Sequence, residues 1–179
     1  MNIIDNENLM PDKTILEVIV RNHPFCKNLC NIINNLIIKL STDPTEKINF
    51  DLTTKDVILY IFKETHSKRE YEFILYHEFS HIADKLNPDF KYSDERFNSL
   101  NDCEQRGVQT IWNCFINSRL KEKNLFQPVS LNIHLGEYVD FLESLSVNNA
   151  QTIIEGIWYH VSNFLSIEDI IAIFRDGLI

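Results

Sequence analysis

Glycine is so scarce in this chain that it restricts the folds the chain can adopt. The sequence has 179 residues and only four glycines, whereas sandwiches and barrels of many short strands need glycine at their tight turns. The same scarcity removes any glycine-rich loop that could cradle a phosphate group. Because 44% of the residues are hydrophobic, the chain can still bury a substantial core. We therefore expect a globular fold dominated by helices.

The first sixty residues predict a small sheet with a helix packed behind it. Residues 14–20 (TILEVIV) form a branched run typical of a strand, and residues 23–41 repeat apolar side chains at helical spacing. Residues 47–52 (KINFDL) and 55–62 (KDVILYIF) alternate or cluster apolar residues between polar breaks, as strands do. These patterns predict about three strands and one backing helix.

A helical period begins at Lys68 and continues until Asn87-Pro88 stops it. At about 100° per residue, His77 lies roughly 160° from Leu75, so that both His77 and His81 face away from the apolar stripe. The stripe consists of Leu75, Phe79, Ile82 and Leu86. We expect one side of this helix to pack and the other to carry polar chemistry.

The rest of the chain is predicted to be helical. Residues 91–124 form one long helix capped near Ser93, and residues 125–132 (LFQPVSLN) are the best candidate linker. Three short helices follow, the last of which begins at Ser166 with acidic residues in its first turn. The predicted domains are residues 1–125 and a C-terminal helical subdomain of residues 133–179.

Charge, hydropathy and cysteine spacing limit the partners of the chain. Its 17 Lys and Arg against 26 Asp and Glu give a net charge of -9, which disfavours nucleic acid as a partner. Neither a signal peptide nor an apolar run of about 18 residues is present, so we expect a cytoplasmic protein that does not enter membranes. The four cysteines form no CxxC pair and are expected to be free, buried thiols.

The stretch YHEFSHIADKL, residues 76–86, carries two histidines four residues apart. On a helix these are separated by one turn plus about 40°, about 6 Å along the axis, so both imidazoles can reach one ion beside the helix. Glu78 can contact a water on that ion without occupying a coordination position. The alternative is that the histidines simply lie on a partly exposed helix face.

A helix with this HExxH motif after a small sheet resembles the zincin metallopeptidases, over residues 14 to about 123. A metzincin would continue with glycine at 84 and histidine at 87, where this chain has Asp84 and Asn87. The chain is therefore more similar to the gluzincins, and in size to the minigluzincins, although the fuller gluzincin signature NExxSD is not present. Residues 133–179 have no counterpart in this resemblance.

In gluzincins the third metal ligand is a glutamate on a following helix, and the resemblance gives that role to Glu104. Glu104 interrupts an apolar stripe, so it should point inward, where a carboxylate needs a cationic partner. Its other reading is a buried carboxylate paired with an arginine such as Arg106 or Arg69. Gly107 is similar to the small residue that lets the two helices of such sites approach closely. Asp94, Glu95 and Asp102 compete with Glu104 for the role of ligand.

The resemblance implies an α+β fold, in which a small mixed sheet with a backing helix and the HExxH helix precedes a glutamate helix and the C-terminal helices. It implies Zn²⁺ held by His77, His81 and Glu104. Peptide bonds of a peptide or protein substrate would be hydrolysed by a zinc-bound water that Glu78 activates. The extended substrate would pair with an edge strand, for which residues 55–62 are the candidate.

Further roles and other functions stay open at this stage. Asp84 could orient a ligand imidazole, lie at the surface, or be a ligand itself. Four residues could donate a hydrogen bond to the reacting oxyanion: His134, Tyr138, Tyr159 and His160. Each could instead be a core or surface residue. The main alternative function is a non-catalytic interaction module or regulatory protein with a structural or vestigial metal site. A peptidase held latent by self-association is another.

Overall fold

The computed structural model describes residues 1–10, 12–43, 46–62, 68–126, 131–160 and 164–178. Over these ranges the fold is α+β, as predicted, with eight helices and one four-stranded mixed sheet. The chain divides into two compact units, Met1–Ala83 and Asp84–Ile179. This division by packing falls inside the HExxH helix, whereas the predicted division lies at residues 125–133.

The sheet of the first unit has the strand order β1-β2-β4-β3. Its strands are β1 (Asn2–Ile4), β2 (Asn35–Leu40), β3 (Lys47–Phe50) and β4 (Val57–Ile61). β1 and β4 both pair with β2 in parallel, and β3 pairs with β4 in antiparallel. β3 is therefore an edge strand, and β4 is interior.

The predicted strand at residues 14–20 is wrong, because this segment forms helix α1 (Lys13–Arg21). The side chain of Asp12 accepts a hydrogen bond from the Thr14 N–H and caps the helix. The buried residues Leu16, Ile19 and Val20 follow helical spacing, so one branched run packs as a helix face. The cap and this spacing outweigh the strand preference of branched side chains.

The predicted helix from His23 is also wrong for most of its length. Only α2 (Leu29–Ile32) is helical there, and it follows Asn28, which has a left-handed backbone (φ 58°). Residues 35–40 form β2 instead, with Leu36 and Ile38 buried on one face. An apolar run of this length is compatible with a helix or with a strand. Its pairing with β1 and β4 makes it a strand.

The remaining predictions for the first unit are confirmed. β3 and β4 lie within the two predicted strand segments. The sheet has four strands rather than about three, because β1 and β2 were missed and residues 14–20 are not a strand. Helix α3 (Lys68–Leu86) ends directly before Asn87-Pro88. Leu75, Phe79 and Ile82 of its apolar stripe are buried.

The second unit is helical, and the long helix predicted for residues 91–124 is divided in two. Ser93 caps α4 (Asp94–Asn98), as predicted, and Asn101 then starts α5 (Asp102–Glu122) with a capping box that includes Glu104. A second capping signal inside the predicted helix therefore ends one helix and begins another. The predicted linker lies partly in α6, and its residues 127–130 lie outside the described part of the chain.

The three predicted C-terminal helices are confirmed as α6 (Leu131–Ser144), α7 (Ala150–His160) and α8 (Ile167–Gly177). Ser166 and Asp169 form the capping box of α8. Gly107 of α5 lies against the ring of Phe174 of α8, which occupies the space that a Cβ would fill. The absence of a side chain at Gly107 thus serves the packing of α8 on α5.

The cysteines differ in burial, and the described helices are short or polar. All four cysteines are free thiols, but only Cys114 is buried, and Cys103 is exposed. The prediction of buried thiols is therefore wrong for Cys103. Among the described residues, no helix combines the length and the apolar character that crossing a membrane requires.

Candidate metal centre

Helix α3 is fixed in the first unit by its apolar stripe and by polar contacts at Tyr76. Leu75 and Phe79 are buried on the packing side. The Tyr76 carbonyl accepts a hydrogen bond of 2.7 Å from the Ser80 hydroxyl and lies 3.2 Å from Nε2 of His23, a fully buried ring. The Ser80 bond is within α3, whereas the His23 contact joins α3 to another segment directly beside His77 and restricts the rotation of the helix that carries the motif.

The two motif histidines lie together, as their spacing predicts. The ring centroids of His77 and His81 are 5.1 Å apart, and the ring planes are inclined by 75°. His77 is half-buried and His81 is only 7% exposed. The side of α3 opposite the stripe is therefore not a freely solvated surface, which disfavours the reading of two histidines on an exposed helix face.

The separation of these rings can be compared with the separation that one tetrahedral ion requires. With a zinc–nitrogen bond of about 2.0–2.1 Å, each imidazole centre lies about 3.2 Å from the ion, and a tetrahedral angle separates two such centres by about 5.2 Å. The observed separation is 5.1 Å. The histidine pair thus fits two positions of a zinc site by donor type and by distance.

Glu78 lies between the histidines in sequence and reaches the edge strand of the sheet. Its carboxylate accepts a hydrogen bond from the backbone N–H of Ile48 in β3. Burial and the nearby charge of Glu46 raise the pKa of Glu78 to about 8, against the lowering effect of the Ile48 N–H. A dication beside this carboxylate would favour its charged form and lower that pKa again.

The strand expected to bind an extended substrate was assigned wrongly. The candidate segment, residues 55–62, contains β4, which lies between β2 and β3 and has a partner on each side. The edge strand next to Glu78 is β3. In an antiparallel pair, alternate residues turn their N–H and C=O groups away from the partner strand. Ile48 is such a residue, since it gives its N–H to Glu78.

Glu104 lies in the first turn of α5, within the second unit, with both carboxylate oxygens engaged. One oxygen accepts hydrogen bonds from Nε and Nη2 of Arg175, each at 2.8 Å. The other accepts the Asn101 N–H at 3.0 Å and completes the capping box. These contacts lower the pKa of Glu104, first through the Asn101 N–H and then through Arg175. The expected cationic partner is therefore Arg175 rather than Arg106 or Arg69.

Asp84, three residues after His81, is buried and is not a surface residue. It binds Arg119 through two hydrogen bonds, at 2.8 and 2.6 Å, and accepts a third from Nε1 of Trp112 at 2.8 Å. The guanidinium of Arg119 also lies 4.3 Å from the ring centroid of Phe115. In the second unit Asp84 therefore joins the end of α3 to α5.

The candidate oxyanion donors have contacts within the second unit. Tyr138 accepts a hydrogen bond of 2.6 Å from the side-chain amide of Asn117, and Nδ1 of His134 lies 3.2 Å from Glu137. Tyr159 is 55% exposed, with Lys121 5.1 Å from its ring centroid. The side chain of His160 lies outside the described part of the chain. An oxyanion role for any of these residues stays a prediction.

Sequence reasoning missed Arg119, Trp112, Arg175 and the backbone of Ile48. A signal existed for the first two, because Trp112 and Arg119 are seven residues apart and lie on one face of α5. An aspartate at the end of an apolar helix needs such a cation. Arg175 and Ile48 gave no local signal, since their contacts join segments that are distant in sequence.

The histidine pair is the part of the predicted site that the structure brings together. Within the described ranges, His, Cys, Asp and Glu side chains form no group of three or more that could hold a metal ion. The role of Glu104 as third ligand stays a prediction. A scan against protein-family models gives no match, and searches of curated proteins and of solved structures find no significant similarity. The functional interpretation therefore depends on the residues themselves.

Proposed function

We propose that this protein is a cytoplasmic, zinc-dependent metallopeptidase of the gluzincin type. The observation that carries the proposal is the 5.1 Å separation of the His77 and His81 rings, which suits two ligands of one tetrahedral ion. The contact of Glu78 supports it, since this carboxyl, adjacent to His77 in sequence, accepts the Ile48 N–H of the edge strand β3. The proposed base would thus lie next to the proposed peptide-binding strand.

Glu104 is the proposed third ligand, and it would have to exchange partners to bind the ion. In this structure its carboxylate is held by Arg175 and by the Asn101 N–H. The ion pair with Arg175 is at the protein surface, where such a pair contributes only about 0–1 kcal/mol, and loss of the capping contact costs about 0.5–2 kcal/mol. The free energy of binding a divalent ion exceeds both contributions. Exchange of these two partners for an ion is therefore thermodynamically accessible.

The residues of the chain have distinct roles in this proposal. Bound zinc would supply a Lewis acid that polarises the scissile carbonyl and makes water acidic near neutral pH. Glu78 takes a proton from the attacking water and returns it to the leaving amine. The outward N–H and C=O groups of β3 bind the substrate backbone as an added strand, so that the scissile bond passes Glu78. Backbone pairing of this kind depends little on the side chains of the substrate, so it gives little sequence specificity.

Peptide hydrolysis by the zinc-loaded, untagged protein tests this function. A mixture of unstructured peptides should be cleaved, with the products identified by mass spectrometry, and 1,10-phenanthroline should stop cleavage until zinc is restored. A cleaved peptide resynthesised with N-methyl groups on alternate residues should lose about tenfold in kcat/KM per hydrogen bond removed. Cleavage that survives the chelator, or none by the zinc-loaded protein, would contradict the proposal.

A further inference from the structure

Helices α6 and α7 enclose a groove of about 300 Å³ that contains none of the proposed metal ligands. Leu135 and Val139 of α6 line one side of it. Ile154 and Tyr159 of α7 line the other, and Tyr159 is 55% exposed. The lining residues of α7 run from Gln151 to Tyr159, eight steps along the helix or about 12 Å. The groove therefore has room for two or three aliphatic side chains along two turns of a partner helix.

The surroundings of the groove are acidic. Asp140 and Glu155 line it and are exposed, and α6 also carries Glu137 and Glu143. From residue 124 to residue 174 the sequence has no lysine or arginine. The positive charge of Lys121 of α5 is near the Tyr159 end, where it donates a hydrogen bond to the Trp158 carbonyl, whereas Asp140 and Glu155 carry the charge of the lining itself. The mouth of the groove is therefore complementary to positive charge.

Gly136 widens the groove on the α6 side. It lies inside a helix with an ordinary negative φ, and no atom lies within 4 Å of the position of a Cβ added to it. Glycine is less favourable than alanine at such a position, and packing of the described residues does not require it. A residue without a side chain does allow the backbone of a partner to approach closely.

We propose that the α6–α7 groove binds a cationic amphipathic helix of another protein. The apolar stripe of that helix would lie against Leu135, Val139 and Tyr159, which are all at least partly exposed, above the buried Ile154. Its lysines or arginines would flank the stripe and face Asp140 and Glu155. Apolar contact supplies the affinity, and charge complementarity selects the partner and speeds the encounter. α6 and α7 contain none of His77, Glu78, His81 and Glu104, so variants of the groove leave the proposed ligands and base in place.

The test uses a fluorescein-labelled, 18-residue peptide of leucine and lysine arranged in helical period. Its affinity for the full chain is measured by anisotropy at 0.15 M salt, and mass spectrometry verifies that the peptide stays intact. Two comparison peptides have glutamate in place of lysine, or the same composition without the apolar stripe. The native chain should bind the leucine–lysine helix with a Kd in the micromolar range, at least about tenfold tighter than either comparison peptide.

Two glycine variants separate the groove from general attraction to an acidic protein. Gly136→Leu places a side chain in the groove and should weaken binding at least about tenfold. Gly156→Leu is the matched control, since Gly156 is also inside a helix, also faces open space and does not line the groove. It should leave the Kd within about twofold. Thermal unfolding verifies that both variants fold.

A charge pair completes the test. Asp140→Asn with Glu155→Gln should weaken binding several-fold, whereas Glu7→Gln with Glu17→Gln, which removes the same charge from the first unit, should not. The proposal is overturned if the native chain does not bind the leucine–lysine helix, or if the peptide without a stripe binds equally well. Equal affinities of the Gly136→Leu and Gly156→Leu proteins would overturn it as well.

Discussion

Replacing Glu78 by glutamine should lower peptide hydrolysis by about 100- to 10,000-fold, the range that a positioned general base contributes. Glutamine has the same shape, and its amide oxygen can still accept the Ile48 N–H that Glu78 binds. It cannot take a proton from water. The zinc content should therefore stay unchanged while kcat falls, as measured on one cleaved peptide with the zinc-loaded protein. The free energy of unfolding should not fall, because a buried carboxyl with a raised pKa does not stabilise the fold at neutral pH.

Glu72→Gln is the control for that experiment. Glu72 is half-buried on the same helix, six residues before Glu78, and the variant removes the same charge without touching the motif. Its kcat should stay within about twofold of the native value, since no general base is lost. If Glu78→Gln retains full activity with zinc bound, Glu78 is not the base and the proposed mechanism is wrong.

Replacing Asp84 by alanine should lower the free energy of unfolding by about 3–5 kcal/mol, the cost of removing one partner of a buried ion pair. The side chain of Asp84 is 2% exposed and that of Arg119 is 13% exposed, so the variant leaves a guanidinium charge with little water. Nε1 of Trp112 also loses the oxygen to which it donates. Urea unfolding followed by tryptophan fluorescence gives the difference.

Two further proteins distinguish a lost ion pair from a general effect of substitution. Asp84→Asn combined with Arg119→Met removes both charges and keeps an acceptor for Trp112, so most of the lost stability should return. Asp89→Ala changes an exposed aspartate five residues later and should alter the free energy by less than about 0.5 kcal/mol. A loss below about 1 kcal/mol for Asp84→Ala would show that the pair is solvated.

The parts of the fold that sequence predicted are those governed by local pattern. Helix α3 and its end at Asn87-Pro88 follow from a helical period and a proline. The segment of α1 was predicted as a strand and the segment of β2 as a helix, because a short branched run fits either a strand or a buried helix face. Pairing with the distant strands β1 and β4 is what makes residues 35–40 a strand. The break between α4 and α5 was detectable, since Asn101 and Glu104 form a capping box.

The candidate site likewise has a part that local pattern predicts and a part that depends on residues distant in sequence. The spacing of His77 and His81 could be predicted because residues four apart on one helix have a fixed separation. The partners of Asp84 and Glu104 are 35 and 71 residues away in sequence, and no local pattern identifies them. The position of β3 at the sheet edge depends on strand order, which the order of segments along the chain does not fix.

The third ligand needs its own variant, because Glu104 also has structural contacts with Asn101 and Arg175. Glu104→Ala removes the capping box and the contact with Arg175, so a modest loss of stability is expected whether or not Glu104 binds metal. Zinc affinity separates the two roles. It should fall at least about tenfold if Glu104 is a ligand, and unchanged affinity would move that ligand elsewhere.

The zinc content of protein purified without a histidine tag tests the central claim most directly. The native chain should contain about one zinc ion per molecule by elemental analysis, and His77→Ala and His81→Ala should each lose it while remaining folded. The four free thiols can also bind zinc. The zinc bound at α3 is therefore the difference in zinc content between the native protein and the histidine variants. A native chain that takes up no zinc on titration, or variants that retain it, would contradict a metal centre on α3.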